Sequence, residues 1–318
     1  MNVKKSLVDF ASSNKRQILG WIAVGLSTAI TCFWAMWGII ENFHEGWYYE
    51  SFLSNLGMMF GQYLSPMLIF MGVTLVSIYW PRLGGSLHVI FALFLVWYFR
   101  AFSNAATFFV IIPLVIFGIL YWVGRPQPRK VATRLAIGLP LLTLIIFGIE
   151  PIFRVSQRID DGNLQARLVE GNGVNLIWAP DGPGWPRQGA SWYEARQVCQ
   201  YLAEDGTILA TTPQNIWRLP TVDEAVRSMS RHGKNSGGVW DAQNAQASYQ
   251  IRPDKESPLW NVHSLVIYWW TGTEIDKVDQ VDEQKAYIIV YDGKVWPKIK
   301  QISLPYRGFR CVKTVTTQ

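Results

Sequence analysis

An uncharged apolar run of about twenty residues leaves a chain little choice, because lipid offers no partner for backbone amides and only a helix satisfies them within one segment. The first half of this sequence holds five apolar runs of this order, at residues 18–40, 56–80, 83–99, 105–123 and 135–153, the last with Glu150 near its end. The third, with 17 residues, sits at the lower limit for crossing. Pro113 and Pro140 fall inside the last two runs, where neighbouring helices can satisfy the freed carbonyls. Gly57 and Gly61 have the spacing that lets a second helix approach closely. Ionisable residues, which mark substrate or proton paths in membranes, are nearly absent. His88 and Glu150 lie near run ends and read as interfacial or capping groups. The half therefore reads as an anchor or a partner-binding bundle.

Charge sets the expected orientation. In a five-span bundle Lys4, Lys5, Lys15, Arg16, Arg82, Arg125, Arg129, Lys130 and Arg134 fall on one side and Arg100 on the other, nine against one. Basic loops stay cytoplasmic, so the N-terminus is expected inside. An odd number of crossings then places the second half outside, although Arg154 and Arg158 pull mildly the other way. No cleavage site follows the first run, which reads as an uncleaved span rather than a signal peptide.

The expected domains are 1–154 and 155–318. Residues 1–154 carry eleven Lys/Arg against five Asp/Glu, whereas 155–318 carry eighteen of each. The net charge of +6 thus belongs to the membrane half, and the polar half lacks the one-sided basic excess of a nucleic-acid binder. With Cys32, Cys199 and Cys311 as the three cysteines, and neither a CxxC pair nor a Cys/His cluster, a structural zinc site is not expected.

In the second half, Ser191 and Glu194 stand in capping-box spacing ahead of a helical stripe of Ala195, Val198, Cys199 and Leu202. Thr221 and Glu224 repeat the device after Pro220, opening a second helix expected to end near Gly233. Residues 266–271 read as a strand with Tyr268 and Trp270 on one face and Trp269 on the other. Residues 286–299 read as a hairpin turning at Asp292 and Gly293, and 306–314 as the final strand. The stretch 232–264 loses periodicity and reads as a long polar loop of the kind in which sites are built.

The motifs GASWYEARQVCQYL, WRLPTVDEA, YWWTGTE, AYIIVYDG and GFRCV, in this order over roughly residues 175–313, resemble the formylglycine-generating enzyme (sulfatase-modifying factor)-like domains and the related bacterial Lcl C-terminal-type domains. The resemblance implies a C-type-lectin-like fold, so the fold class expected is an α-helical membrane bundle of five spans followed by an α+β lectin-like domain. It also implies a bacterial inner or cytoplasmic membrane, and calcium as an occasional ion. Glu274, Asp276, Asp279 and Asp282 are the residues that would hold calcium, against the plainer reading of a solvated acidic loop. In such folds the first helix packs on the last strand. Cys199 and Cys311 are then expected as neighbours, either disulfide-bonded or as two buried thiols.

Fold does not carry activity with it. The family's enzymes hold copper with two cysteines near the domain's C-terminal end, and its sulfur-oxygen relatives hold iron with three histidines. This chain has no cysteine between Ser264 and Phe309, and its second half has two histidines, His232 and His263, which read as ordinary polar residues rather than a metal pair. Ser191 is better explained as a cap than as a nucleophile, and neither a nucleophile elbow nor a phosphate loop is present. The chain is therefore expected to bind an envelope glycan, peptide or protein without catalysis and without an obligatory cofactor. The alternatives are an oxidoreductase with a rearranged site and a structural subunit of a membrane complex. Trp240, Asp241, Trp260, Asn261, Tyr268 and Trp270 are the candidate contacts, with Asn235 and Asn244 beside them by location.

Overall fold

The hydropathy pattern of the first half becomes helix. The computed structural model describes residues 3–98, 105–275 and 284–315, with side chains from 13 and again from 111 onward. Helices α1 (Val3–Glu41), α2 (Phe52–Met58), α3 (Ser65–Tyr79), α4 (Pro81–Tyr98), α5 (Ala105–Val123) and α6 (Arg129–Ser156) follow one another. Among the described residues three stretches, Ser13–Gly46, Pro81–Tyr98 and Arg129–Ser156, are long and apolar enough to cross a membrane. A fourth candidate arises if the helical stretches Phe52–Tyr63 and Ser65–Tyr79, bent by 57° at their junction, act as one span. Pro66 in the first turn of α3 lacks the amide that would carry the hydrogen bonding on. Ile111–Val123 of α5 is a shorter apolar helix.

The close approaches lie elsewhere than the Gly57/Gly61 spacing suggested. A Cβ at either of those positions meets nothing within 4 Å, whereas one at Gly85 would lie 2.6 Å from the Gly118 carbonyl. Small residues thus join α4 to α5. His88 is packed among the helices: it is 1 % exposed, donates Nδ1–H to the Gly84 carbonyl at 2.9 Å, and stacks on Tyr121 at 5.5 Å.

The chain divides into two units, the first holding the helices and the second holding Tyr48–Ser51 and the residues from Arg154 on. In the second unit β1 (Arg167–Gly171), β2 (Val174–Trp178) and the late strand β11 (Val312–Thr314) make one sheet, in the order β1-β2-β11. A four-stranded sheet runs β10-β7-β8-β9, from Arg307–Gly308, Tyr268–Ile275, Lys285–Val290 and Val295–Ile299. Period-2 alternation along β7 sends Trp269 to one core and Trp270 to the other. Helix α8 (Val222–Ser228) buries Val222, Ala225 and Val226 on the Trp269 side, and α7 (Trp192–Tyr201) buries Trp192, Ala195 and Cys199 on the Trp270 side.

Both helices start as their spacing predicts. Ser191 accepts the Glu194 amide and Glu194 accepts that of Ser191; Thr221 and Glu224 do the same. Each cap contributes about 1 kcal/mol. The second helix stops at Ser228 rather than near Gly233, because the chain turns into the two-residue strand β3 (Ser230–Arg231), paired with β4 (Lys234–Asn235). Cys199 and Cys311 are disulfide-bonded with Cα atoms 5.6 Å apart. The expected final strand is in fact two: Arg307–Gly308 joins β7 in parallel, and Val312–Thr314 joins β2. Between them Arg310, fully buried, donates to the Ala179 carbonyl at 2.7 Å and packs over Trp185 at 3.6 Å.

The polar stretch 232–264, expected as a long ordered loop, also carries short strands. It holds the hairpin β5 (Val239–Asp241) and β6 (Gln246–Ser248), and then buries Asp254, Lys255 and Glu256 at 1 %, 2 % and 0 % exposure. Arg158 meets Asp254 at 2.8 Å, and Arg231 meets Asp254 and Glu256, each at 3.2 Å. Glu256 also accepts the Ile159 and His232 amides, so the segment after α6 is tied into this loop. Burial pushes the Lys255 ammonium well below its ordinary range, helped by Arg158 and opposed by Asp254, and its Nζ donates to the Ser264 carbonyl.

Candidate functional site

The four strands of the larger sheet converge on one hollow of about 140 Å³ lined by Tyr268, Ile288, Trp296, Lys298, Tyr306 and Arg307. Register brings them together. Arg307 lies opposite Tyr268 in the parallel pair, and Ile288 opposite Trp296 in the hairpin. Trp296 and Lys298 share a face because side chains alternate along β9. The backbone beneath is pinned: the Tyr306 carbonyl accepts the Ile267 and Tyr268 amides at 3.0 and 3.2 Å, and the Arg307 carbonyl accepts that of Ala190 at 2.9 Å.

Aromatic rings form the walls. Tyr268 and Tyr306 meet edge to face with centroids 5.6 Å apart, and Trp296 is 47 % exposed at the rim with the Lys298 ammonium 5.6 Å from its ring. Arg307, 6 % exposed, lies over Trp270 at 5.1 Å and donates Nη1–H to the Ile302 carbonyl at 3.3 Å. Its Nε is buried and has no acceptor. Burial lowers the Arg307 pKa from its ordinary value, opposed by the phenol groups of Tyr306 and Tyr268; a guanidinium starts so high that it stays charged at neutral pH. Among the described residues no Asp or Glu lines the hollow. The site holds two cations and three aromatic rings, which suits it to retain a small anionic group against a flat or apolar one.

A larger hollow of about 380 Å³ is lined by Trp192, Arg196, Gln200, Arg218, Leu219, Thr221, Gly272 and Glu274, but its charges already serve one another. Arg218 makes a two-pronged pair with Glu224 at 2.6 and 2.7 Å, and Lys300 holds Glu274. That hollow is therefore less ready for a charged ligand.

The residues singled out from sequence scatter. Tyr268 is in the site, and Trp270 lies beneath Arg307 as a fully buried core residue, not a ligand platform. Trp260 is corrected likewise: it is 3 % exposed and stacked on Trp269 at 3.7 Å, where truncation to Ala would cost about 3–5 kcal/mol and remove core rather than ligand contacts. Trp240 packs edge to face on Tyr287 at 5.4 Å. Asp241 closes the β5–β6 turn by accepting the Gln243 and Asn244 amides at 2.9 and 3.1 Å, and Asn261 accepts the His263 amide at 2.8 Å. Asn235 bridges the Arg227 carbonyl and the Gly237 amide. His232 sits 4.0 Å from Glu256 and His263 3.3 Å from Asp160, so each has its own carboxylate partner.

Of the possible calcium ligands, Glu274 is engaged by Lys300, and Asp276, Asp279 and Asp282 lie outside the described residues. Among the described residues no group of three or more His, Cys, Asp or Glu is placed to hold a metal. Sequence reasoning missed Trp296, Lys298, Tyr306 and Arg307. The Trp-x-Lys alternation on a hairpin strand was the available signal for the first two; the burial of Arg307 depends on pairing with β7, which no local pattern reveals.

No family model and no curated protein matches the chain. Among solved structures it is similar to one described as the crystal structure of CarF, at 15 % identity and a TM-score of 0.25, over 53 % of this chain and 81 % of that one. A likeness this slight carries no argument about fold or activity.

Proposed function

We propose that the protein is a membrane-anchored, extracytoplasmic binding module of the bacterial envelope, without catalysis, and that it takes its ligand in the hollow at Arg307. The observation that carries the reading is a buried arginine, its Nε without an acceptor, among the residues that line an aromatic hollow. Such a group is costly to keep unless something completes it. The proposed topology is five spans with the N-terminus in the cytoplasm, supported by the loop charges and by the Cys199–Cys311 disulfide, a bond that persists in oxidising compartments. The motif resemblance to formylglycine-generating enzyme-like and lectin-like domains supports the same reading. Its enzymes' cysteine pair and histidine trio have no counterparts in this sequence.

Two measurements test this. Alkaline phosphatase fused after Gln318 should be active, and activity of a cytoplasmic reporter there instead would reverse the topology. Full-length protein in nanodiscs, applied to arrays of glycans and short peptides, should lose retention with Trp296→Ala; an array profile indifferent to that substitution would remove the hollow from the function.

A further inference from the structure

Building on that reading, we propose that the group recognised in the hollow is a carboxylate, held by Arg307 and Lys298 while the atoms bearing it lie against Tyr268, Tyr306 and Trp296.

The first support is charge balance. Among the described residues Lys298 and Arg307 are the two basic side chains of the lining, and no acid lines the hollow beside them. Arg231, 7 % exposed in the same unit, is by contrast met by Asp254 and Glu256, both at 3.2 Å. The second is geometry. Of the Arg307 donors, Nη1 is used on the Ile302 carbonyl while Nε, buried, has no acceptor. A carboxylate presents two oxygens to the planar guanidinium fork, the pairing arginine makes best. The third is size. At about 140 Å³ the space admits a carboxylate and the few atoms that carry it rather than a whole chain. The ring faces of Tyr268, Tyr306 and Trp296 then cover the carbon skeleton, and Lys298, half-buried beside Trp296, adds a second charge from the rim.

The carboxylate has two chemical sources, an acidic sugar or a peptide chain end, and the test separates them. Full-length protein in nanodiscs is titrated calorimetrically with glucuronate and with glucose, and with N-acetylalanine and with its amide. At least one acid should bind, and its neutral counterpart should bind at least tenfold more weakly, since a charge-assisted pair is lost. Glucuronate alone would identify a sugar site, N-acetylalanine alone a peptide-end site, and both together a site that reads only the carboxylate. Arg307→Gln should abolish the preference for acids. Lys298→Gln, at a partly exposed position that leaves the core untouched, should weaken the acid severalfold and the neutral probe not at all, so that the idea stays testable if Arg307→Gln misfolds. Equal binding of acids and neutral partners would overturn the carboxylate assignment and leave the binding module standing. If none of the four probes bound, and none perturbed the Trp296 indole N–H signal in NMR, the hollow itself would be discarded as the site.

Discussion

Arg231 and Arg307 are buried to nearly the same degree, 7 % and 6 % exposed, yet they keep opposite company. Arg231 sits between two carboxylates that are themselves shielded from water, and the group ties the segment after α6 to the loop at 254–257. Arg307 has the Trp270 ring, a single backbone carbonyl, and an unused Nε. Charge burial is therefore not one phenomenon in this domain. Arg231, with acids beside it, is part of a joint, whereas Arg307 keeps an Nε without an acceptor.

The largest expected effect breaks the joint. Arg231→Met leaves Asp254 and Glu256 without that partner, and should cost about 3–5 kcal/mol in urea unfolding of the detergent-solubilised chain. A change under about 1 kcal/mol would show that Arg158 and the backbone amides suffice for both acids. Next comes the covalent counterpart of the joint: Cys199→Ala with Cys311→Ala should cost about 2–4 kcal/mol, measured the same way against the reduced wild type as a control.

A smaller effect concerns an acid that is paired on a strand turn. Burial raises the pKa of the Asp292 carboxyl, but Lys294 at 3.1 Å and Arg252 at 3.0 Å outweigh it and hold the group below the ordinary aspartate value. A depressed folded-state pKa contributes stability that is present above the unfolded value of about 3.9 and is lost as pH falls through the folded one. Asp292→Asn should therefore lower stability at pH 7 by about 1 kcal/mol and flatten the acid limb of the unfolding curve; parallel acid limbs in mutant and wild type would refute the assignment. The smallest stability effect sharpens the comparison from the other side. Arg307→Gln should cost less than about 1 kcal/mol, because little inside the protein depends on that charge. A loss as large as that of Arg231→Met would mean the two arginines are alike after all.

Local chemistry was readable in the sequence wherever it acts over a few residues. The caps at Ser191 and Thr221, the turn at Asp292 and Gly293 and the alternation of Trp269 and Trp270 all follow from spacing, and all are present. Composition misled where long-range packing decides. Trp260 looks like a ligand platform in a polar loop but is covered by Trp269, and Asp254 and Glu256 look like solvated loop charges until Arg158 and Arg231 arrive from distant segments. The hollow was illegible for the same reason: five of its six lining residues come from four strands and the sixth, Tyr306, from the turn before β10.

The stretch from Arg307 to Thr314 also governs when this unit can take shape. It supplies the strand that finishes each of the two larger sheets and, at Cys311, the sulfur that reaches back to α7. Strands β2 and β7 are made well before their partners exist, so during synthesis both sheets wait open, and pairings of such long sequence separation form slowly. The floor of the hollow and the covalent bond are then completed by the same few residues. A nascent domain cannot bind before it closes: ligand competence and oxidative maturation become one late event, and a chain cut short of Arg307 would lose both together.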